Sequence, residues 1–203
     1  MTITEPATLI TDWLLAAQCT VLARRLGCDG PAARLLRLHL LVAAVGAFLG
    51  GLDHGFQLHL SAEASHWIWT GTLAALVVAS TLLLAFAVRH WLPGQTLLLG
   101  ACGLLGLAGL VAGVPTGAFE AVLALWVPST AAVLVLAARS GARLIVASQL
   151  VAILGAAIQA LELAPHPAFN HNDLFHVVQM GAIVLLVRGA REVLPPAAAN
   201  LGA

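Results

Sequence analysis

Residues 66–90 read HWIWTGTLAALVVASTLLLAFAVRH, and from Trp67 to Val88 the run carries no charged side chain. A hydrocarbon core about 30 Å thick takes about 20 apolar residues of α-helix to cross, so this stretch alone is long enough for one passage. It shows no alternation of polar and apolar positions, which argues against a strand of a sheet or barrel. The rest of the 203-residue chain has the same character. Hydrophobic residues make up 61% of it and charged residues only 9%, and its mean hydropathy is +0.98. Soluble domains are about a quarter charged, so the solvent expected here is lipid. Working outward from the quoted stretch gives seven helical spans, at about 7–27, 35–60, 66–90, 95–114, 117–138, 142–163 and 172–192. Breaks rich in glycine and proline separate them, among them Gly27 to Pro31, Pro93-Gly94, Pro115, and Pro165 with Pro167. The expected fold class is an all-α integral membrane protein: one seven-transmembrane-helix bundle over residues 1–203, with no room for a soluble domain.

Charge placement orients the bundle. All nine basic residues are arginines (Arg24, Arg25, Arg34, Arg37, Arg89, Arg139, Arg143, Arg188 and Arg191), and the span order puts every one at the same side. Seven of the nine acids (Glu5, Asp12, Asp53, Glu63, Glu120, Glu162 and Asp173) fall at the other. The positive-inside rule makes the arginine side cytoplasmic, hence N-terminus outside and C-terminus cytoplasmic. The first residues lack the cationic stretch of a signal peptide, so the first apolar run reads as a retained helix. Abundant Ala, Leu and Arg without any Lys fits a bacterial inner membrane. Nine bases balance nine acids with no basic patch, which makes nucleic acid an improbable partner and the bilayer the obvious one. Cys19, Cys28 and Cys102 form no paired motif and read as small apolar filler.

Ionisable residues inside spans are costly in lipid and by default mark a site. Span two carries Asp53 and His54 one to two turns below the outer surface, and span one carries Asp12 about one turn down. Span seven opens Asn170-His-Asn-Asp-Leu-Phe-His176, where Asn172 and His176 (i, i+4) share a face and Asp173 lies close by. Asp12, His54 and His176 should therefore meet in one layer. Two imidazoles with an oxygen ligand leave the fourth position of a zinc ion open to water, and zinc brings that water's pKa to about 7. The carboxylates Asp12, Asp53 and Asp173 are then candidate general bases. The plain structural reading of Asn170 with Asp173 is a capping box that opens span seven. For His59, His66, His166 and His171 it is ordinary interfacial hydration. Gln18, Ser148, Gln149 and Gln159 read as contacts between helices.

Seven spans, a His on the outer part of span two and Asn172-Asp-Leu-Phe-His176-Val-Val at the start of span seven resemble the CREST superfamily of membrane hydrolases, which includes alkaline ceramidases and the progestin and adipoQ receptors. The resemblance implies a zinc-dependent hydrolase acting on a lipid amide or ester at the outer side of the bundle. It makes His54 and His176 metal ligands and puts Asn172 where the family has a further His. Gly50 stands where the family has Ser, and no Asp occupies the family's place on span three. Two other classes remain open: a haem-, ion- or proton-binding or transport protein built on the same His residues, and a structural membrane subunit held together by the polar cluster.

Overall fold

The computed structural model describes residues 2–197, which form seven α-helices and no strand. They are α1 (Pro6–Arg24), α2 (Pro31–Phe56), α3 (Ala62–Trp91), α4 (Thr96–Ala108), α5 (Glu120–Ser140), α6 (Arg143–Ala160) and α7 (His171–Val193). A 3₁₀ turn, Gln57–His59, extends α2, and α4 runs on through a π-turn, Gly109–Gly113, and a 3₁₀ turn, Val114–Thr116. Seven helical segments, α4 being counted with its extension, are long and apolar enough to cross a membrane. Residue 1 and residues 198–203 of the expected single domain lie outside the described residues.

The helix ends depart from the expected spans by a few residues, for local reasons. Proline at the first turn of α2 presets its φ and costs no hydrogen bond there, so the helix starts at Pro31 rather than 35. Gly117, at φ 70°, delays α5 to Glu120, and Glu162, at φ 50°, ends α6 before 163. Ser61 Oγ accepts from the Ala64 amide and caps α3. Asn170 and Asp173 form a reciprocal capping box on α7.

Packing contacts run α1–α2–α3–α5–α6–α7 and back to α1, so six helices close a ring. Helix α4 stands outside it against α3, and it exposes Leu97, Leu104, Leu107 and, on its π-turn, Val111. The contact between α1 and α2 requires glycine. A Cβ on Gly51 would sit 2.8 Å from Trp13 Cδ1, and one on Gly55 2.9 Å from Leu9 Cδ2. At the arginine end, Leu26, Leu36, Leu40, Phe86, Val133, Ile145 and Val187 form a fully enclosed apolar core. The C-terminal segment closes over it: Pro195 O accepts from the Asp29 amide at 3.1 Å, and Ala197 N donates to Gly27 O at 2.9 Å. Arg191 donates to the Leu26 carbonyl at 3.2 Å and to that of Arg25.

Candidate functional site

The ring encloses a cavity of about 510 Å³, lined by all six ring helices and by no residue of α4. Ligand pockets are commonly 300–1,000 Å³. Four of the six residues expected at the site line this cavity: Asp12 from α1, His54 from α2, and Asn172 and His176 from α7. Helical spacing explains the last two, since positions four apart lie on one face.

The closest contact among them is between Asp12 and His176. His176 Nε2 lies 3.2 Å from Asp12 Oδ1, and its Nδ1 lies 3.1 Å from Thr11 Oγ1. Thr11 Oγ1 also has the Ala7 and Thr8 carbonyls at 3.0 and 3.1 Å. Those carbonyls can only accept, so the Thr11 hydroxyl proton has a partner there and its oxygen is free to accept from Nδ1–H. Nε2 then faces Asp12 with one proton between them. That arrangement leaves the pair without net charge, which suits a site removed from water. Asp12 is 4% exposed and its Oδ2 is buried with no partner, as fits the carbonyl oxygen of a protonated acid. Gly50, on α2, faces this carboxyl: a Cβ there would stand in ordinary contact with Oδ2, at 3.6 Å.

The remaining expected residues are engaged elsewhere. His54 Nδ1 lies 3.4 Å from Glu5 Oε2, which also accepts from Thr8 Oγ1 at 3.0 Å. Asn172 Oδ1 accepts from Gln159 Nε2 at 2.7 Å, leaving the Asn172 amide N–H groups available to the cavity. Asp53 does not line the cavity; it accepts from Ser65 Oγ at 2.5 Å and ties α2 to α3. Asp173 does not line it either, because its Oδ2 accepts from the Asn170 amide at 2.7 Å in the capping box. Both stand near helix ends, outside the cavity wall. Outside the spans, burial pushes the Cys28 thiol above its usual value, only partly offset by Arg191 and Arg37, and the thiol donates to Leu26 O. It behaves as the inert filler expected of it.

Zinc can be tested against this donor set. Two ligand atoms of a tetrahedral zinc ion with bonds of 2.0–2.1 Å stand about 3.3 Å apart, close to the 3.2 Å between His176 Nε2 and Asp12 Oδ1. A catalytic zinc takes three protein ligands. With His54 on Glu5 and Asn172 on Gln159, no group of three or more His, Cys, Asp or Glu among the described residues is arranged to hold a metal ion. The expected set of His54, His176 and Asn172 is thus brought to one cavity but not to one point.

The model of a family of unknown function, DUF6962, matches residues 7–195. The chain belongs to that family. No curated protein and no solved structure matches it. The match runs from the first turn of α1 to just beyond α7, so the whole ring, its cavity and the Asp12–His176 pair are features of a DUF6962 chain.

Three participants were not singled out from the sequence of this DUF6962 member. Thr11 carries no sequence signal of its own, and Glu5 entered only as one of the acids at the outer side. Glu5 reaches His54 because the N-terminal segment folds back over α2, where the Thr4 amide donates to Gly55 O at 3.0 Å. His39, nearer the arginine end of α2, lines the same cavity. Its position on α2, four turns below His54, was the available signal.

Proposed function

We propose that this protein is a membrane-embedded hydrolase that cleaves an amide or ester bond of a lipid, with Asp12 and His176 as its reactive pair and the lipid chain held in the six-helix cavity. Its helices cross a bacterial inner membrane with the N-terminus outside and the C-terminus cytoplasmic, as the arginines at one end favour. The observation that carries this reading is the 3.2 Å contact between Asp12 and His176 in the wall of a mainly apolar cavity. Its volume of about 510 Å³ lies within the range of ligand pockets. Apolar walls suit a lipid chain. The resemblance to the CREST superfamily points to the same chemistry.

Each group has a step. A water at the pair adds its oxygen to the substrate carbonyl carbon and gives a proton to His176 Nε2 while Asp12 keeps the proton the two had shared, so the charge gained by the pair is balanced by the oxyanion formed beside it. The Asn172 amide donates to the carbonyl oxygen as negative charge gathers there. When the C–N or C–O bond breaks, the pair returns the proton to the departing amine or alcohol. The products are a fatty acid and that amine or alcohol, and the pair is back in its starting state. Thr11 is not the nucleophile, because its hydroxyl is already held by two carbonyls and does not line the cavity; it orients the His176 ring.

The test is hydrolysis of a fluorescent ceramide and of the matching ester by purified protein in lipid nanodiscs. Wild type releases the labelled fatty acid, while Asp12→Asn and His176→Ala retain the fold and lose at least a hundredfold in rate. Equal rates in wild type and both variants, or no release at all, would sink the proposal. Metal content of the same preparation decides the place of zinc. Stoichiometric zinc that disappears in His54→Ala would show that His54 leaves Glu5 to complete the set.

A further inference from the structure

The end of the cavity nearer the arginines carries a second set of polar groups that the proposed chemistry does not use. His39, Ser80, Thr130, Ser148 and Gln149 all line it there, one or more from each of α2, α3, α5 and α6. His39 Nδ1 lies 2.9 Å from the Ala79 carbonyl. A carbonyl only accepts, so Nδ1 carries the proton and Nε2 of the neutral ring is left as an acceptor. Thr130 is 2% exposed, and its hydroxyl is buried with no partner. That is unusual on a helix, where a threonine ordinarily returns its proton to a carbonyl one turn back, as Thr72 and Ser80 do here. Gln149 Nε2 donates to Ser148 Oγ at 3.3 Å, which leaves the Ser148 hydroxyl proton uncommitted. An acceptor and two uncommitted hydroxyls thus line an otherwise apolar chamber, and burying such groups unpaired is costly.

We propose that this set is a binding site for the far-end hydroxyl of a long-chain lipid whose carbonyl lies at Asp12 and His176. A chain-terminal hydroxyl can both give a proton to His39 Nε2 and accept one from Thr130. A plain methyl terminus satisfies neither, and a carboxylate would bring a buried charge with no cation beside it. The span agrees. Gly50, which faces Asp12, and His39 are 11 residues apart on α2, about 16 Å at 1.5 Å per residue, the reach of a fatty acyl chain. The inference rests on the reading of the cavity as a lipid chamber, and not on catalysis by the Asp12–His176 pair.

The experiment is competition against a fluorescent fatty acid by hexadecanoic acid and 16-hydroxyhexadecanoic acid, with the protein in nanodiscs. Wild type prefers the hydroxy acid by about tenfold. Thr130→Val, which keeps shape and removes the hydroxyl, brings the ratio to near one. His39→Asn, which keeps a donor for Ala79 O and removes Nε2, does the same, while both variants still bind hexadecanoic acid. A wild-type ratio near one with both acids bound overturns the far-end site and leaves the hydrolase reading standing. A preference that survives in Thr130→Val and His39→Asn also overturns it. Failure of both acids to bind overturns this site and the lipid chamber together.

Discussion

Asp12 has one carboxyl oxygen on His176 and the other buried without a partner, so each half of the pair depends on the other. Removing one member of a buried pair leaves its partner unpaired away from water, which costs about 3 kcal/mol or more. Asp12→Ala and His176→Ala should each lower the thermal midpoint clearly, and Asp12→Leu with His176→Leu should recover most of the loss. Equal, additive losses in a double-mutant cycle would show that the two do not interact. The sequence made this pair partly readable. An acid one turn into the first span and a His one turn into the last must end at similar depth, because 1.5 Å per residue fixes depth in a helix. It did not reveal which partner each ring would take. His54 and His176 looked equivalent, and the choice between them rests on the fold-back of the N-terminal segment that brings Glu5 to His54. Spacing within a helix carries no information about such a return. Asp173 was readable both ways, as acid or as cap, and the hydrogen bond to Asn170 settles its local role.

Helices α6 and α7 pack closely near the arginine end, where a Cβ on Gly189 would come within 2.8 Å of the Ile145 backbone nitrogen. Backbone cannot step aside as a side chain can. Gly189→Ala should therefore force the helices apart and cost about 1–3 kcal/mol. Gly181, on the same helix, has nothing within 4 Å of where its Cβ would be. Gly181→Ala should be neutral or gain up to about 1 kcal/mol from helix propensity. Chemical unfolding of the two variants side by side tests this, and equal effects would contradict the packing described. The seven segments themselves were legible because lipid demands length and apolarity of each. The position of α4 outside the ring was not. Its apolar residues look like those of its neighbours, and an apolar surface facing lipid is chemically indistinguishable from one facing a helix.

For the molecule as a whole, all nine arginines stand at one end and seven of the nine acids at the other, and this division underlies the proposed orientation. In a variant freed of Cys19, Cys28 and Cys102, a cysteine placed at Ala168 should react with an impermeant maleimide on intact spheroplasts. One placed at Gly94 should react only after the membrane is opened. The reverse pattern would invert the topology while leaving the bundle untouched. The sequence brought helices one, two and seven to one polar layer, but the extent of the cavity through all six ring helices was not legible, because it is a property of the ring and not of any helix. Its existence ties the two ends together: an acid–base pair at one, uncommitted hydrogen-bonding groups at the other, and apolar walls between.

The most direct measurement is an experimental structure of the protein in nanodiscs with a non-cleavable long-chain lipid amide analogue. The chain should lie within the six-helix ring, its carbonyl carbon within about 4 Å of Asp12 or His176 and its oxygen toward Asn172. A chain bound only on the outer surface, or one threaded through the cavity with its carbonyl remote from Asp12 and His176, would contradict the account.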